Sequence, residues 1–504
     1  MNTKYISGNT VLKTHSWMIL NLIVLIFAFL CNSCSTKANK GTISGNVTLF
    51  NDIPDYYIEN PMDFSGVTVA LYKTAVLDTT LVRINQQYPQ IGVQITQETE
   101  FDHRNFKPLK VTTTDAIGKF SFPSLTPGDY NIVIWKNEWG IRYICTVKAI
   151  ENENNNIGNI ELYPATYYNS TIVSEPTIFK SDHSYFILTD VNFTSSVEFQ
   201  PRAQIFINPG CMLKFYGAIT TPEFTSSRDM WKITSGKEIY STSPVPMDFD
   251  SYYSSVNFYG EEINIKSGIV KYGDNALNSI YVSSNEINFM VFEECGTALN
   301  INEGNVDIAY LVIFNCNNSG IVFTSKLGGD LNVSITKSIA NNINLRAVSV
   351  ERAKELVINN CYFYNNYYAI SNKYCDSIFE HNEFLDNYYD IHYSKIDFNL
   401  HNEIHYNNFF QSFAESIFLC GNINNITNNN FYGPTGYFIY IIYIVAPFAM
   451  VNNNVNAINN YWSYENIDHY LVDANDNDIY SIQCPYNIIY LPKLNNPDTN
   501  AGIQ

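Results

Sequence analysis

The stretch Asp376–His405 carries more chemically versatile side chains than any other part of the chain. It holds half of the protein's eight histidines together with several acidic residues. Imidazole and carboxylate groups at this density could bind a metal ion or transfer protons in acid–base catalysis. The same residue types also suit the solvated turns of a repetitive β fold, and the sequence favours that interpretation. We therefore expect no metal site here. The four histidines are His381, His392, His401 and His405.

A second acidic stretch, Asp473–Asp478, begins like a calcium-binding loop. A calcium loop also needs a central glycine for its sharp turn and a distal glutamate that binds the ion through both oxygens. Neither is present at the expected spacing. The sequence therefore predicts no calcium site and no cofactor.

Aromatic residues form the third candidate site. The pair Tyr367–Tyr368 is followed 21 residues later by Tyr388–Tyr389. Exposed aromatic columns could receive sugar rings face-on, because the ring is apolar and its surroundings are polar. A neighbouring outward-facing position is predicted to hold Tyr362, Glu383, Phe409 and Phe431. The alternative is that a loop or another domain covers these columns. The predicted glycan-binding residues are Tyr362, Tyr367, Tyr368, Tyr388, Tyr389 and Phe409.

Four repeated segments would position these side chains. They can be superimposed so that each closes on an isoleucine 21 to 26 residues after the previous one. Periods of this length indicate a solenoid, and the short alternation of apolar residues indicates strands and not helices. Stacked parallel strands about 4.8 Å apart would enclose one continuous core. The segments are Val357–Ile370, Ile378–Ile391, Ile404–Ile417 and Ile426–Ile439.

Asparagines share one position in this alignment. Asn382, Asn408 and Asn430 coincide, and Asn454 continues the series. Asparagine tolerates the left-handed backbone of a tight corner, and stacked amides can donate and accept hydrogen bonds along the column. We expect these residues to form corners between sheets and not to bind ligand.

The flanks of the repeats resemble known β-helix proteins. Ile205–Phe215, with its Asn-Pro-Gly turn, is similar to an opening coil, and Asn459–Trp462 is similar to a closing element of right-handed parallel β-helices in the pectate-lyase-like superfamily. Ser463 replaces the glycine usual after that closing element. We assign residues 180–494 to the β-helix. Thr220–Tyr253 is expected to be an irregular excursion, and Ile467–Leu494 is expected to cap the core.

Residues 41–162 are predicted to form a separate small β domain of short alternating strands. Thr114–Phe122 and Leu125–Tyr130 each combine a turn with a following strand. With Gly41-x-Ile43-x-Gly45, they resemble the carboxypeptidase-regulatory-like domain, a transthyretin- or Ig-like β-sandwich. That resemblance implies a spacer or docking module. The chain departs from it in the insert Thr74–Leu109, which we expect to be an elaborated loop or an extra hairpin.

Residues 1–34 resemble a lipoprotein signal peptide. A basic start precedes the apolar run Met18–Leu30, which is too short to span a membrane. The following sequence resembles a bacterial lipoprotein cleavage site with Cys34 as the acylated residue, and Cys31 is the alternative. The Asn- and Tyr-rich composition resembles that of Bacteroidota. The predicted location is the cell envelope, as an outer-membrane lipoprotein on either its periplasmic or its surface face.

The net charge and the cysteine spacing exclude further classes of function. The net charge of −19 argues against a nucleic-acid partner, because phosphates require lysine and arginine. After the signal segment no C-x-x-C pair remains, which disfavours zinc and thioredoxin-like sites. Cys295 and Cys316 would stack on adjacent coils, either as a disulfide or as free buried thiols.

These observations favour an all-β envelope lipoprotein with a β-sandwich and a β-helix that binds a glycan or serves as a scaffold without catalysis. The expected partners are the membrane, through the lipid, and a polysaccharide. The alternative is a polysaccharide lyase or glycoside hydrolase, which rests on the fold alone.

The anchor assignment can be tested by substitution. Cys34→Ala should move the protein from the membrane to the soluble fraction, because the acylated side chain is lost. Fractionation followed by immunoblotting provides the measurement. Release by Cys31→Ala, with Cys34→Ala still membrane-bound, would assign the lipid to Cys31 instead.

Overall fold

A computed structural model describes residues 40–50, 63–260, 262–326, 330–394, 400–419, 425–433, 436–441, 455–464, 467, 471–472 and 488–504. The protein is all-β, with a β-sandwich followed by a parallel β-solenoid of about 12 turns and only 6% helix. The predicted lipidation site Cys34, the acidic stretch Asp473–Asp478 and Asn454 lie outside the described residues. No helix among the described residues is long and apolar enough to cross a membrane.

Two sheets form the sandwich, one in the order β4–β1–β7 and the other in the order β3–β2–β5–β6. Alternate side chains of β1 are buried, as expected for a strand with one face on a core. Ile43, Val69 and Ile132 are completely buried between the sheets. The strands are β1 (Gly41–Leu49), β2 (Thr68–Lys73), β3 (Lys110–Thr113), β4 (Lys119–Leu125), β5 (Gly128–Trp135), β6 (Ile141–Ala149) and β7 (Asn154–Leu162).

The insert between β2 and β3 is helical, so the prediction of a loop or hairpin was wrong. It contains α1 (Thr79–Gln87), α2 (Gln97–Glu100) and a 3-10 turn (His103–Asn105). Asp78 starts α1 by accepting hydrogen bonds from the backbone of Thr80 and Leu81 at 2.9 Å. The apolar face of α1 packs on the solenoid and not on the sandwich. The helical spacing of its apolar residues is visible in the local sequence, whereas the surface on which α1 packs is formed by repeats far away in the chain.

Three parallel sheets, named A, B and C, run along the solenoid. Sheet A contains β10 (Thr177–Phe179), β13 (Val197–Phe199), β16 (Ile219–Thr220), the first halves of β19 (Glu262–Lys271) and β21 (Ser284–Glu293), β23 (Asn305–Ala309), β26 (Asn332–Thr336), β29 (Glu355–Asn359), β32 (Asp376–Glu380), β35 (Asn402–His405), β38 (Asn425–Thr427), β41 (Val455–Asn456) and β44 (Ile488–Ile489).

Sheet B follows sheet A along the chain in each turn. It contains β8 (Thr166–Tyr168), β11 (Ser184–Ile187), β14 (Gln204–Ile207), β17 (Trp231–Ser235), the second halves of β19 and β21, β24 (Val312–Phe314), β27 (Ile339–Asn341), β30 (Tyr362–Tyr364), β33 (Glu383–Leu385), β36 (Asn408–Phe410), β39 (Asn430–Tyr432) and β42 (Tyr461–Trp462).

Sheet C has 13 strands and completes each turn. It contains β9 (Ile172–Val173), β12 (Val191–Phe193), β15 (Met212–Phe215), β18 (Tyr253–Phe258), β20 (Gly273–Ile280), β22 (Thr297–Asn302), β25 (Ser319–Thr324), β28 (Arg346–Glu351), β31 (Tyr368–Lys373), β34 (Tyr389–Tyr393), β37 (Glu415–Leu419), β40 (Tyr437–Ile441) and β43 (Leu471–Val472).

The segment Thr220–Tyr253 is only partly the predicted excursion. Trp231–Ser235 within it is a regular strand of sheet B that pairs with the strands before and after it. The loops on either side carry short 3-10 turns at Ser227–Asp229 and Phe249–Ser251. Trp231–Ser235 therefore belongs to a regular coil of the solenoid.

The corner from sheet A to sheet B is made by one residue per turn in left-handed conformation. Its φ angles lie between 47° and 59° in eight successive turns, although only three of these residues are asparagine. Position in the coil, and not residue type alone, therefore decides the conformation. The corner residues are Phe289, Tyr310, Lys337, Asn360, His381, Tyr406, Asn428 and Asn459.

A buried asparagine ladder follows this corner, displaced from the predicted one. In each step the amide oxygen accepts from both the backbone N–H and the side-chain amide of the asparagine one coil earlier, at 2.8–3.1 Å. The predicted members Asn408 and Asn430 lie one residue further on. Stacked amides bonding along a column were thus predicted correctly, but the register was wrong for Asn408 and Asn430. The left-handed corner residues lie one or two positions before the predicted asparagines. The ladder consists of Asn382, Asn407, Asn429 and Asn460.

The insert and the C-terminal tail cover the outer face of sheet B. Leu81 and Ile84 of α1 pack in one buried cluster with Val312, Ile339 and Tyr362. The backbone of Gly92 donates to the Lys337 carbonyl at 2.7 Å. The tail continues the cover where the insert ends: Gly502 donates to the Tyr406 carbonyl at 2.7 Å, and the Asp498 carbonyl accepts from Asn430 at 2.9 Å. Sheet B is therefore closed to large ligands along these coils.

The acidic side chain of Asp390 lies inside the solenoid. Asp390 is fully buried and accepts hydrogen bonds from Ser412 and, at 3.0 Å, from Asn387. Burial raises the pKa of Asp390 to about 8, although these donors oppose the shift. The carboxyl is therefore protonated in the folded protein at neutral pH.

This buried acid should make stability depend on pH. The unfolded carboxyl ionises near pH 4, whereas the folded one stays protonated up to about pH 8. Unfolding thus releases a proton between these values, and the group's contribution to the free energy of unfolding falls as pH rises, by up to about 5 kcal/mol. Asp390→Asn should remove this loss.

Melting temperatures of wild type and Asp390→Asn between pH 4 and pH 9 provide the measurement. The gap should widen in favour of the variant as pH rises. Asp330→Asn, at a side chain that is 93% exposed, is the matched control and should follow wild type. Parallel curves for wild type and Asp390→Asn would contradict the buried neutral acid.

Candidate functional site

Four tyrosines project from adjacent coils where the chain enters sheet C; we call them the tyrosine platform. Tyr368 and Tyr389 are the first residues of β31 and β34 and are directly paired in register. Tyr367 and Tyr388 precede them in the turn from sheet B. Parallel pairing of successive coils brings each residue over its equivalent, so the spacing of 21 residues becomes one coil step. The predicted stacking of these two pairs is confirmed.

Ring geometry makes the platform rigid. Tyr367 and Tyr388 stack with ring centroids 4.8 Å apart, and Tyr368 and Tyr389 stack at 4.7 Å. Because contacting rings are about 3.5 Å thick, each stack is offset by roughly 3 Å. Tyr367 meets Tyr368 edge-to-face, at 86° between the ring planes. Each stack has two rings. A sugar ring can therefore lie on the outer face of either ring or on the part of a face that the offset leaves uncovered.

The platform is open to solvent, and its hydroxyl groups are free of hydrogen bonds to described residues. Tyr367 and Tyr388 are 41% and 42% exposed, and Tyr368 and Tyr389 are half-buried. None of the four hydroxyl groups hydrogen-bonds to another described residue. Each hydroxyl is consequently available to donate to, or accept from, a ligand hydroxyl. Apolar ring surface beside free hydroxyls is the combination that sugars require.

Charged and imidazole groups border the platform along sheet C. Arg346 is paired in register before Tyr368, and Glu415 after Tyr389. Burial raises the pKa of Glu415 to about 7, and its Oε2 atom is buried without a hydrogen-bond partner among the described residues. His392 meets Tyr368 edge-on at 5.0 Å, and burial, with Arg346 nearby, lowers the pKa of His392 to about 4. The imidazole is therefore neutral at physiological pH.

These bordering residues were not predicted as part of the site. The signal was present in the repeats, because Glu415 precedes Ile417 by the same two residues that separate Tyr389 from Ile391. A search restricted to aromatic residues overlooked it.

Two predicted glycan-binding residues do not belong to the platform. Phe409 was expected to point outward, but it is 1% exposed and lies inside the solenoid. It stacks between Phe384 at 4.9 Å and Phe431 at 4.8 Å. The physical cause is a turn that is one residue longer in this coil, so that Phe384 pairs with Phe409 and not with Phe410.

Tyr362 does point away from the solenoid core, but it is covered. It is 4% exposed beneath the insert, where its ring lies 5.8 Å from that of Tyr88. The Tyr88 hydroxyl also donates to Glu383, which is 8% exposed, and burial raises the pKa of that carboxyl. The alternative that another domain covers these positions is correct for both Tyr362 and Glu383.

The histidines of Asp376–His405 are distributed over separate places. His381 occupies a corner, where its Nδ1 lies 3.0 Å from the Asn500 carbonyl oxygen. On sheet A, His405 pairs with Glu380 at 2.9 Å and His401 pairs with Glu403 at 3.1 Å. Several of these residues are outward strand positions and not the expected turns. Within the described residues, no group of three or more His, Cys, Asp or Glu side chains is arranged to hold a metal ion.

The cysteines stack as predicted but remain thiols. Cys295 and Cys316 are both free and completely buried on adjacent coils. Of the two alternatives, the structure thus has the free buried form.

Comparison with known proteins finds a likeness in one part of the chain. A family model described as the second β-sandwich domain of the BOS complex subunit NOMO1-like proteins matches residues 80–163. Those residues comprise the helical insert and strands β3 to β7, so the likeness concerns the sandwich and not the solenoid. No curated protein and no solved structure matches the chain.

The inward and outward assignments predict different costs of truncation. Phe409→Ala empties a position in the aromatic column and should cost about 3–5 kcal/mol of unfolding free energy. Tyr388→Ala removes an exposed ring and should cost about 1 kcal/mol, the value of an aromatic pair. Thermal and urea unfolding of the two variants provides the measurement. Equal losses would reject the register that places Phe409 inside.

Proposed function

We propose that this protein is a cell-envelope lipoprotein that binds a glycan on the tyrosine platform and does not cleave it. A β-sandwich joined to a β-helix fits a non-catalytic or carbohydrate-related role. The observation that carries the proposal is the platform itself: four braced rings with free hydroxyls on an open sheet. The lipid on Cys34 would hold the solenoid at the membrane.

Rigidity favours binding. The stacked and edge-to-face contacts fix the four rings before any ligand arrives, so little side-chain entropy is lost on association. Tyrosine combines a large apolar surface with a polar tip. The neighbouring Glu415 side chain is half-buried, and its Oε2 atom, which is closed to solvent, has no hydrogen-bond partner among the described residues.

The platform has fewer of the groups that catalysis requires than of those that binding requires. Hydrolysis of a glycosidic bond usually requires two carboxyl groups on either side of that bond. Glu415 is the carboxyl paired in register with the platform strand β34, and the next acid inward, Asp390, faces the core. Of the described residues paired in register with Tyr368 and Tyr389, Glu415 alone carries a carboxyl group, so the proposal is binding and not cleavage.

Substitution of the platform tests this function. Tyr388→Ala combined with Tyr389→Ala should weaken retention of the chain in native affinity gels containing a polysaccharide selected from a glycan array. The melting temperature should change little, because neither ring lies in the solenoid core. Loss of two stacking rings corresponds to at least a tenfold weaker affinity.

The matched control is a second stacked tyrosine pair near the same sheet. Tyr216 is 45% exposed and stacks on Tyr259 at 4.7 Å. Replacing both with alanine should leave retention unchanged. Equal retention of the platform variant and wild type would reject the site, and formation of shortened or unsaturated products from the selected polysaccharide would replace binding by catalysis.

A further inference from the structure

A cleft separates the sandwich from the first coils of the solenoid; we call it the junction cleft. Arg142, Tyr143 and Cys145 of β6 form one wall. Gln204 of β14 and Lys232 of β17 face them from sheet B. The cavity measures about 80 Å³. It has room for a small molecule of a few heavy atoms and is too small for a sugar chain.

The cleft concentrates positive charge in an acidic protein. Its lining holds four basic side chains and two acidic ones, within a chain of net charge −19. Arg142 and Arg202 share Asp182, at 2.8 and 2.9 Å. Arg202 also reaches Asp229 at 2.7 Å, and Arg228 pairs with Glu98 at 3.2 Å. Three carboxylates thus match the three guanidinium groups, whereas Lys232 forms no ion pair with a described carboxylate. The acidic groups nearest to it, Asp102 and Glu293, are paired with Arg104 and Lys271.

Lys232 is the unmatched cation. Its side chain is partly buried, and its Nζ atom lies 5.1 Å from the centre of the Tyr143 ring. It donates no hydrogen bond to any described residue. Burial, with the nearby Lys271 ammonium, lowers the pKa of Lys232 to about 8. An ammonium group withdrawn from water and without an acceptor is costly, and an anion in the cleft would supply the missing partner.

We propose that the junction cleft binds a small monocarboxylate, with its carboxylate on the Lys232 ammonium and its apolar end against Phe101 and Ile269. One unmatched positive charge selects a monovalent anion. These two side chains and Met230 form the apolar part of the lining and favour an organic anion over a mineral one. Since the walls come from different domains, the bound anion would also stabilise the contact between sandwich and solenoid.

This site is independent of glycan binding. The platform lies on sheet C, in β31 and β34, whereas the cleft involves sheet B at β14 and β17. Failure of one proposal therefore leaves the other unaffected.

Sodium acetate is the probe, with sodium chloride at equal ionic strength as the reference. Acetate should raise the melting temperature of the full chain by about 1–3 °C at saturating concentration, because it binds only the folded state. Lys232→Met should abolish the rise. Lys354→Met, at an exposed lysine paired with Asp330, should retain it.

A direct measurement accompanies the thermal shift. Saturation-transfer NMR on wild type should show the acetate methyl group in contact with protein, and Lys232→Gln should lose the signal if Lys232→Met does not fold. Equal shifts in the lysine variants, or no acetate-specific shift and no saturation transfer, would overturn the proposal. Sodium phosphate at equal ionic strength is expected to have less effect than acetate, and a larger effect would overturn the assignment to a carboxylate.

Discussion

The hydrogen-bonded register between successive coils is the constraint on which the rest of this structure depends. Side chains alternate between core and surface along each strand, so a shift of one residue exchanges the two sets. Pairing of Phe384 with Phe409 places both rings inside the solenoid. The same register buries the asparagine ladder and aligns the tyrosines of adjacent coils. The backbone hydrogen bonds between successive coils therefore determine both the stability of the core and the side chains that reach the surface.

The register also determines which surface is available to a ligand. Sheet B is covered by the helical insert and the C-terminal tail, which together bury Tyr362 and Glu383. Sheet A carries paired charges such as His405 and Glu380. Sheet C exposes the tyrosine platform, whose hydroxyls have no partners among the described residues. A long repetitive fold thus presents a distinct surface for recognition, because the insert and the tail cover sheet B while the stacked tyrosines lie exposed on sheet C.

Sequence periodicity predicted the fold class and the tyrosine stacks because both follow from local spacing. It failed where two registers fit equally well. Asn407-Asn408-Phe409-Phe410 offers an asparagine and an aromatic ring in either register, and only the longer turn before Ile417 distinguishes them. The cover over Tyr362 was predicted only as an alternative, because the helix that provides it belongs to another domain and its contact with the solenoid cannot be read from the repeats. The sequence alone cannot show that groups such as Glu415 and Lys232 lack a partner, because their neighbours in space are known only from the structure.

Hydroxyl-radical footprinting with mass spectrometry, with and without the selected polysaccharide, tests the central claim most directly, since it measures side-chain exposure residue by residue. In the free protein Tyr367 and Tyr388 should be oxidised readily, whereas Tyr362 and Phe409 should be protected. The polysaccharide should lower oxidation of the platform tyrosines and leave Tyr216 unchanged. Ready oxidation of Phe409 in the free protein, or protection by the polysaccharide at Tyr216 and not at Tyr388, would contradict the account.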